Sequence, residues 1–334
     1  MKIAILGSGS IGTYVGGALL QAGAEVVFIG RTAMQQRILQ HGLVLTDLHQ
    51  RRIELASARV PYRLDAQALA GVSVILVTVK SSATAQAAQD ILQWAPPDAV
   101  IISLQNGIGN AATLQQVLPQ RTIVGGMVPF NVAQTDDGRL HRGTEGELMV
   151  EACALLAPCL ALFAQAGLPL IERSDFFAVQ WGKLLLNLNN PLNALSGLPL
   201  KTQLSQRCWR RCLALLISEA LIVLDAAGIA PAQVARVAPR RLPALLRLPD
   251  FLFRRIAAQM LRIDPEARSS MWEDLQAGRR TEIDYLNGAV VKLAVSIGRS
   301  APANESIVAL VRQVEQGDLA GLGGAALWTV LNRR

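Results

Sequence analysis

Lysine is scarce in this chain of 334 residues: only Lys2, Lys80, Lys183, Lys201 and Lys292 occur, and the formal net charge of +7 is carried by arginine. With arginine as the routine cation, a lysine at a motif position marks a place where a compact, titratable amine is wanted. Histidine is scarcer still. His41, His49 and His141 lie in loop-like or hairpin-like stretches outside the motifs described below, which nearly excludes the usual general acid. The four cysteines (Cys153, Cys159, Cys208, Cys212) lack the C-x-x-C spacing of a zinc ribbon, so they read as buried small apolar residues and no metal is expected. No apolar run reaches the ~20 residues of a membrane span, and no charged-then-apolar leader precedes the first strand-like run. A cytoplasmic protein without a membrane partner is therefore expected. The basic excess gathers between Arg236 and Arg262, interleaved with Pro, Leu and Phe. Such arginines read as solvated helix faces rather than a nucleic-acid patch, although a basic surface suits polyanionic small molecules.

What is present has the composition of an ordinary globular protein, 51% hydrophobic and 4% aromatic, long enough for two domains. KIAIL, GSGSIGTYVGGALLQAG and AEVVFIG read as strand, glycine turn with helix, and strand. Further strands are expected at 72–80 and 99–107, with SSATAQAAQDILQW helical between them. Residues 43–62 are read as short irregular strands, and Thr122–Val150 as a strand and then a hairpin turning at DDG and GTEG. This alternation predicts a doubly wound parallel sheet, a Rossmann-like α/β domain over 1–174. From 175 to 334 the pattern is helical with Gly and Pro breaks, which predicts an all-α second domain; the Gly/Ala-rich tail from Gly317 reads as frayed.

Gly7, Gly9 and Gly12 form G-x-G-x-x-G between an apolar strand and a helix. The first glycine permits the tight turn, the second lets backbone approach a pyrophosphate, and the third lets helix pack on strand, with Ser8, Ser10 and Ile11 in the same loop. A dinucleotide is expected here. The second strand ends at Arg31 instead of the acidic residue that holds a ribose 2′-hydroxyl, so a 2′-phosphate, and NADP rather than NAD, is favoured. Lys80 and Asn106 end two neighbouring strands, where a parallel sheet opens onto its ligand.

The helical half carries two polar clusters. In WGKLLLNLNNPLNALSG, Lys183, Asn187 and Asn190 recur at i, i+4 and i+7 on an otherwise leucine-rich helix. Asparagine on such a helix suits hydrogen bonding to a specific group better than solvation does. In RSSMWEDLQAGRRTEIDYLNG, Ser270 and Asp274 share one helix face, and Thr281 with Asp284 resembles a capping box. That box would place Glu282 in the first turn of the next helix, and an ionised glutamate beside a lysine would keep the amine protonated.

Together these segments resemble the ketopantoate reductase (2-dehydropantoate 2-reductase) family over nearly the whole chain, on GSGSIG, LQNGIG, WGKLLLNLNNPLNAL and above all ARSSMWEDLQAGRRTEIDYLNG. The resemblance implies Lys183 as catalytic lysine, with Glu282 as the family's glutamate. It implies a substrate held by Asn106, Lys183, Asn187 and Ser270, with Asp274 nearby. Cofactor contacts fall on the glycine loop, Arg31, Lys80, Asn106, Glu282 and a backbone position near Asn131. In one departure Pro191 stands where the family's second helix asparagine is spaced, which leaves Asn190 as its equivalent. The stripe is expected to face an interdomain cleft, with NADPH delivering hydride to a small 2-oxo acid while Lys183 protonates the developing alkoxide. Another 2-oxo acid or related carbonyl, a non-catalytic NADPH-binding sensor, and a homodimer remain open alternatives at this point.

Overall fold

The structure is a computed structural model, and it describes residues 1–135, 137–256, 267–318 and 321–332. The chain divides into two units, Met1–Phe176 and Phe177–Arg334.

The first unit is built on β1 (Lys2–Leu6), α1 (Ser10–Gln21), β2 (Glu25–Ile29), α2 (Thr32–His41), β3 (Leu43–Asp47), β4 (Arg52–Leu55), β5 (Tyr62–Arg63) and β6 (Val74–Val77). It continues through α3 (Thr84–Trp94), β7 (Val100–Ser103), α4 (Asn110–Val117), β8 (Ile123–Met127), β9 (Val132–Gln134), β10 (Leu140–Arg142), β11 (Leu148–Glu151), α5 (Ala157–Gln165) and β12 (Leu170–Arg173). One eight-stranded sheet runs β12-β11-β8-β7-β6-β1-β2-β5, parallel except where β11 meets β8. Strand β1 shows why both faces are covered: Ile3 and Ile5 join one apolar cluster, Ala4 and Leu6 the other, and all four are buried. A strand buried on both sides reads as an unbroken apolar run, as KIAIL does.

A second sheet, β4-β3-β10-β9, shares the first apolar cluster through Leu43, Leu45, Ile53, Leu55, Val132 and Leu140. Helix α1 lies between the two sheets because Gly16 and Gly17 remove its bulk on both sides. A Cβ on Gly16 would stand 2.5 Å from Phe28 and 2.7 Å from Ile5, and one on Gly17 2.8 Å from Leu43 and 2.9 Å from Leu45. The β9–β10 hairpin expected within Thr122–Val150 is present, and the stretch 43–62 contributes β3 and β4 to this second sheet rather than irregular strands. Asp136 of the DDG turn and residues 257–262 of the basic stretch lie outside the described residues. The parallel pair β11–β12, bridged by α5, has no counterpart in the sequence reading. EACALLAPCLALFAQAGLPLIER carries too little period contrast to separate helix from strand.

The second unit comprises α6 (Phe176–Asn187), α7 (Asn189–Ser196), α8 (Leu200–Leu204), α9 (Arg207–Ala226), α10 (Leu242–Leu246), α11 (Asp250–Ile256), α12 (Ser270–Gln276), α13 (Asn287–Ser296), α14 (Pro302–Gln316) and α15 (Gly324–Leu331). Among its described residues there is no strand. Helix α9 is the hub, with Trp209, Cys212, Leu213, Leu216, Ile217, Ala220, Val223 and Leu224 buried at helical spacing. Arg210 on α9 is fully buried. It donates to the carbonyls of Leu204, Leu246 and Leu248 and to Asp250, and it stacks on Phe253. A buried cation is tolerable only when it is paired and hydrogen-bonded in this way. The tail is not frayed over Gly324–Leu331: Leu327 and Leu331 are buried, and Arg211 stacks over Trp328. No described helix is long and apolar enough to cross a membrane.

Candidate active site

In the first unit the residues singled out by sequence stand along one edge of the sheet. The carboxyl ends of β7, β6, β1 and β2 carry, in that order, Asn106, Lys80, the glycine loop and Arg31. The chain leaves β1 toward β2 on one side and returns to β6 on the other, which is the switch point where open α/β sheets take ligands.

The three glycines of the loop have different physical reasons. Gly7 has φ +101°, and a Cβ there would meet the backbone of Val79; its N–H and that of Ser8 both donate to Ile29 O at 2.9 Å. At Gly12 a Cβ would strike the Thr78 hydroxyl and Ile5. Gly9 differs, because its Cβ would approach nothing closer than Gly7 O at 3.9 Å. Among the described residues no neighbour requires glycine at position 9, whereas a ligand lying against that backbone would. Helix α1 begins there with neither a side-chain cap nor an acidic residue in its first turn, so its end attracts anions. The site fits a dinucleotide pyrophosphate. Within the loop, the Ser8 hydroxyl turns inward to Ile5 O at 3.2 Å, Ser10 accepts from Gln134 Nε2 at 2.9 Å, and Ile11 packs against the core.

Arg31 is exposed and stands at the N-cap of α2. Its carbonyl accepts from the Tyr62 hydroxyl at 3.2 Å, and burial pushes that phenol up to about 12. Sequence reasoning missed Arg63. Strand β5 pairs in register with β2, Ile29 beside Arg63, and Gly30 N–H donates to Arg63 O at 3.1 Å. A second exposed arginine therefore ends the strand next to Arg31. A two-residue strand has no periodicity to betray it. Lys80 and Asn106 are both exposed. Asn131 is engaged locally: its N–H donates to the Thr144 hydroxyl at 2.9 Å, and its carbonyl accepts from Gly143 N–H at 3.2 Å.

In the second unit the expected single helix is two. Pro191 has no N–H to give Asn187 O, and α6 ends at Asn187 before α7 starts at Asn189. The break sorts the four asparagines. Asn189 exchanges amide bonds with fully buried Gln203 (Nδ2 to Oε1 3.2 Å, Nε2 to Oδ1 2.9 Å). Asn193 donates to Leu198 O at 2.9 Å and accepts from Ser269 N–H at 2.8 Å, tying α7 to the start of α12. Among the described residues the amide side chains of Asn187, buried, and Asn190, half-buried, bond to nothing. Only the backbone carbonyl of Asn190 is used, by the Ser269 hydroxyl at 3.2 Å.

That contrast predicts two opposite phenotypes. Asn193→Leu should unfold the protein more easily, by roughly 2–4 kcal/mol for buried partners left unmet. Asn187→Leu should leave the melting temperature unchanged and lower kcat/KM by an amount worth roughly 1–3 kcal/mol. Thermal unfolding and steady-state kinetics on the same preparations separate them, and loss of stability alone in Asn187→Leu would make Asn187 a core residue.

Lys183, on α6, is half-buried, and burial lowers its ammonium from 10.5 to about 8. Desolvation, which disfavours the charged form, sets that direction, and at about 8 the amine is still mostly protonated at neutral pH. Ser269 caps α12, accepting from Trp272 N–H at 3.2 Å, which leaves the Ser270 hydroxyl exposed. Asp274 is buried, and its carboxylate is engaged by Arg279 Nε at 3.1 Å, so it braces the turn after α12. The capping box is absent. Thr281 Oγ1 accepts from Ile283 N–H, two residues on, at 3.3 Å, and Asp284 pairs with Arg312. Half-buried Glu282 therefore precedes a 3-10 turn at Ile283–Tyr285, and α13 starts only at Asn287. The macrodipole argument for Glu282 falls with the helix turn it assumed. Asn190 and Ser270 are brought close through Ser269, while no measured contact joins Glu282 to either. No cluster of metal-ligating side chains occurs among the described residues.

Residues 3–154 match the family described as ketopantoate reductase PanE/ApbA, and residues 175–315 its C-terminal counterpart. A 2-dehydropantoate 2-reductase of Halobacterium salinarum is 26% identical over 324 residues, covering 95% of this chain and 99% of the relative. Among solved structures, a PanE/ApbA family ketopantoate reductase from Ralstonia eutropha superposes with a TM-score of 0.79 at 31% identity, covering 95% of this chain and 99% of the other. A D-mandelate dehydrogenase with NADH and anilino(oxo)acetate shares the fold, with a TM-score of 0.76 at 22% identity and coverage of 95% and 99%. The family implies a nicotinamide cofactor and a small-molecule substrate. This chain, an oxidoreductase, belongs to the ketopantoate reductase family.

Proposed function

We propose that the enzyme reduces 2-dehydropantoate to pantoate with NADPH, in the cytoplasm, serving pantothenate and coenzyme A biosynthesis. The observation that carries this reading is the sorting of the asparagines: two are consumed by the fold, and of the two idle amides Asn187 stands one turn from half-buried Lys183 on α6 while Asn190 follows on α7. A non-catalytic NADPH sensor needs no such set.

The chain's own residues divide the work. The glycine loop and the start of α1 hold the pyrophosphate, with Ser8 and Ile11 contributing backbone only. Arg31, with Arg63 beside it, takes the adenosine 2′-phosphate. Lys80 and Asn106 serve the remainder of the cofactor, and Asn131 and Glu282 border it. When bound, the reduced nicotinamide supplies the hydride. Asn106, Asn187, Asn190 and Ser270 hydrogen-bond the 2-oxo acid through neutral groups, which leave the charge of Lys183 undiminished. The Lys183 ammonium donates to the 2-oxo oxygen, stabilises the negative charge that develops there, and gives up its proton to form the hydroxyl. A pKa of about 8 suits this task, because the amine is mostly charged at neutral pH and releases its proton readily.

Cofactor choice tests the first half of the reading. Arg31→Ala should weaken NADPH about ten-fold, the worth of one charge-assisted contact, and NADH hardly at all. Equal affinity of the wild type for both cofactors would remove the 2′-phosphate from the proposal. A second reading, reduction of a different 2-oxo acid, is favoured by Pro191, since it ends α6 at Asn187 and puts Asn190 on the separate helix α7. A panel of 2-oxo acids followed by NADPH absorbance decides between them: 2-dehydropantoate should give the highest kcat/KM, and a bulkier or aromatic acid ahead of it would favour the second.

A further inference from the structure

Lys80 and Asn106 stand on the loops that follow β6 and β7. A knot of five side chains that the proposed chemistry leaves unused joins those loops. Ser81, Thr84, Ser103, Gln105 and Asn110 are each nine-tenths or more buried. Gln105 Nε2 donates to the Thr84 hydroxyl at 2.8 Å and to Val79 O at 3.0 Å, and its Oε1 accepts from Ser103 at 3.0 Å. The Thr84 hydroxyl lies 2.9 Å from both Ser81 O and Asn110 Oδ1. Asn110 Nδ2 donates to Asn106 O at 2.8 Å and to the Ser81 hydroxyl at 3.2 Å, and that hydroxyl donates to Asn106 O at 3.0 Å.

The connectivity is specific. Val79 and Ser81, on either side of Lys80, are bonded through side chains to Gln105 and Asn106. A dinucleotide anchored at the glycine loop, with its 2′-phosphate toward β2, must run its other half past β6 and β7, on the opposite side of β1. We infer that the knot fixes the spacing between Lys80 and Asn106, which makes Thr84, Gln105 and Asn110 positioning residues for the nicotinamide half of the cofactor. The inference rests on the cofactor reading given above. A buried network with its partners met is rigid, and that rigidity lets two exposed side chains on separate loops meet one ligand without an ordering cost.

Thr84→Val removes the central hydroxyl at constant shape, and Thr84→Ser restores it. The ligands to compare are NADPH and adenosine 2′,5′-bisphosphate, which lacks the nicotinamide half. Thr84→Val should bind NADPH about ten-fold more weakly than the wild type, bind the bisphosphate equally well, and recover in Thr84→Ser. Asn110→Asp, which places a carboxylate against Asn106 O, should behave the same way and serves if Thr84→Val does not fold. Unchanged NADPH affinity in the folded variants overturns the inference, and so does equal weakening of both ligands, which would signal general loosening. Neither measurement needs turnover. A wild type that prefers NADH is compared instead with NADH and adenosine 5′-monophosphate. A wild type that binds no dinucleotide overturns the cofactor reading and the inference together.

Discussion

Lys183→Met should abolish most turnover and stabilise the fold in the same stroke. On the proposed role of Lys183, the loss of its proton donor should lower kcat by roughly 10²–10⁴-fold, while NADPH affinity, assigned in the proposal to the glycine loop, should stay within a factor of two or so of wild type. The stability gain follows from the direction of the shift at Lys183, whose pKa falls from 10.5 to about 8 on folding. Below pH 8 the ammonium is charged in both states and the folded state bears the whole desolvation cost, at most roughly 3.5 kcal/mol. Between 8 and 10.5 the unfolded chain holds more protons, so that cost shrinks as pH rises, and above 10.5 it is gone. Methionine removes the cost at neutral pH, so the variant's advantage in thermal unfolding should be largest at pH 7 and vanish in strong base. In the wild type, the rate of reduction should fall as pH climbs through about 8, and the reverse oxidation should rise through the same value. Near-normal turnover in Lys183→Met would move the proton donor elsewhere, whatever its melting temperature.

Gly9→Val and Gly7→Ala should part company just as sharply. A Cβ at position 9 approaches nothing closer than Gly7 O at 3.9 Å in the free protein, so the melting temperature without cofactor should fall only by the modest cost of a poorer N-cap. The added atoms occupy the place of the pyrophosphate, and NADPH affinity should fall by well over ten-fold, more than roughly 1.4 kcal/mol. The rise in melting temperature expected of the wild type with saturating NADPH should disappear with it. Gly7→Ala instead forces a side chain onto φ +101° and into Val79, and should destabilise the free protein by roughly 2 kcal/mol or more. Equal destabilisation by the two variants would make Gly9 a packing residue and end its role as a cradle.

The glycine loop, the strands of the main sheet and the helical second half were legible because each is written in local chemistry: unbroken apolar runs, 3.6-residue periods, glycines at fixed spacing. Three features were not. The turn of helix assumed at Glu282 rested on Thr281 and Asp284 as a reciprocal cap, but Arg312, distant in sequence, claims Asp284, and a long-range ion pair leaves no local trace. The division of labour among the asparagines depends on Gln203 and Ser269, which only the fold brings to Asn189 and Asn193. The Pro191 break was half legible. Its missing N–H was visible, while its consequence for Asn187 needed the helix geometry. Arg63 escaped because pairing, not periodicity, makes β5 a strand.

Gly16 and Gly17 let α1 sit pressed between two sheets, and this has a calorimetric consequence. The N–H groups at the start of that helix are already immobilised in the free protein, so phosphate need not organise the cradle it enters. Binding through this loop should therefore carry little entropic penalty from the protein itself, with the order already fixed when the two sheets close on the helix during folding. Enlarging either glycine, even if the chain still folds, should shift part of that penalty back onto the binding step and appear as a less favourable binding entropy, although neither residue approaches the ligand.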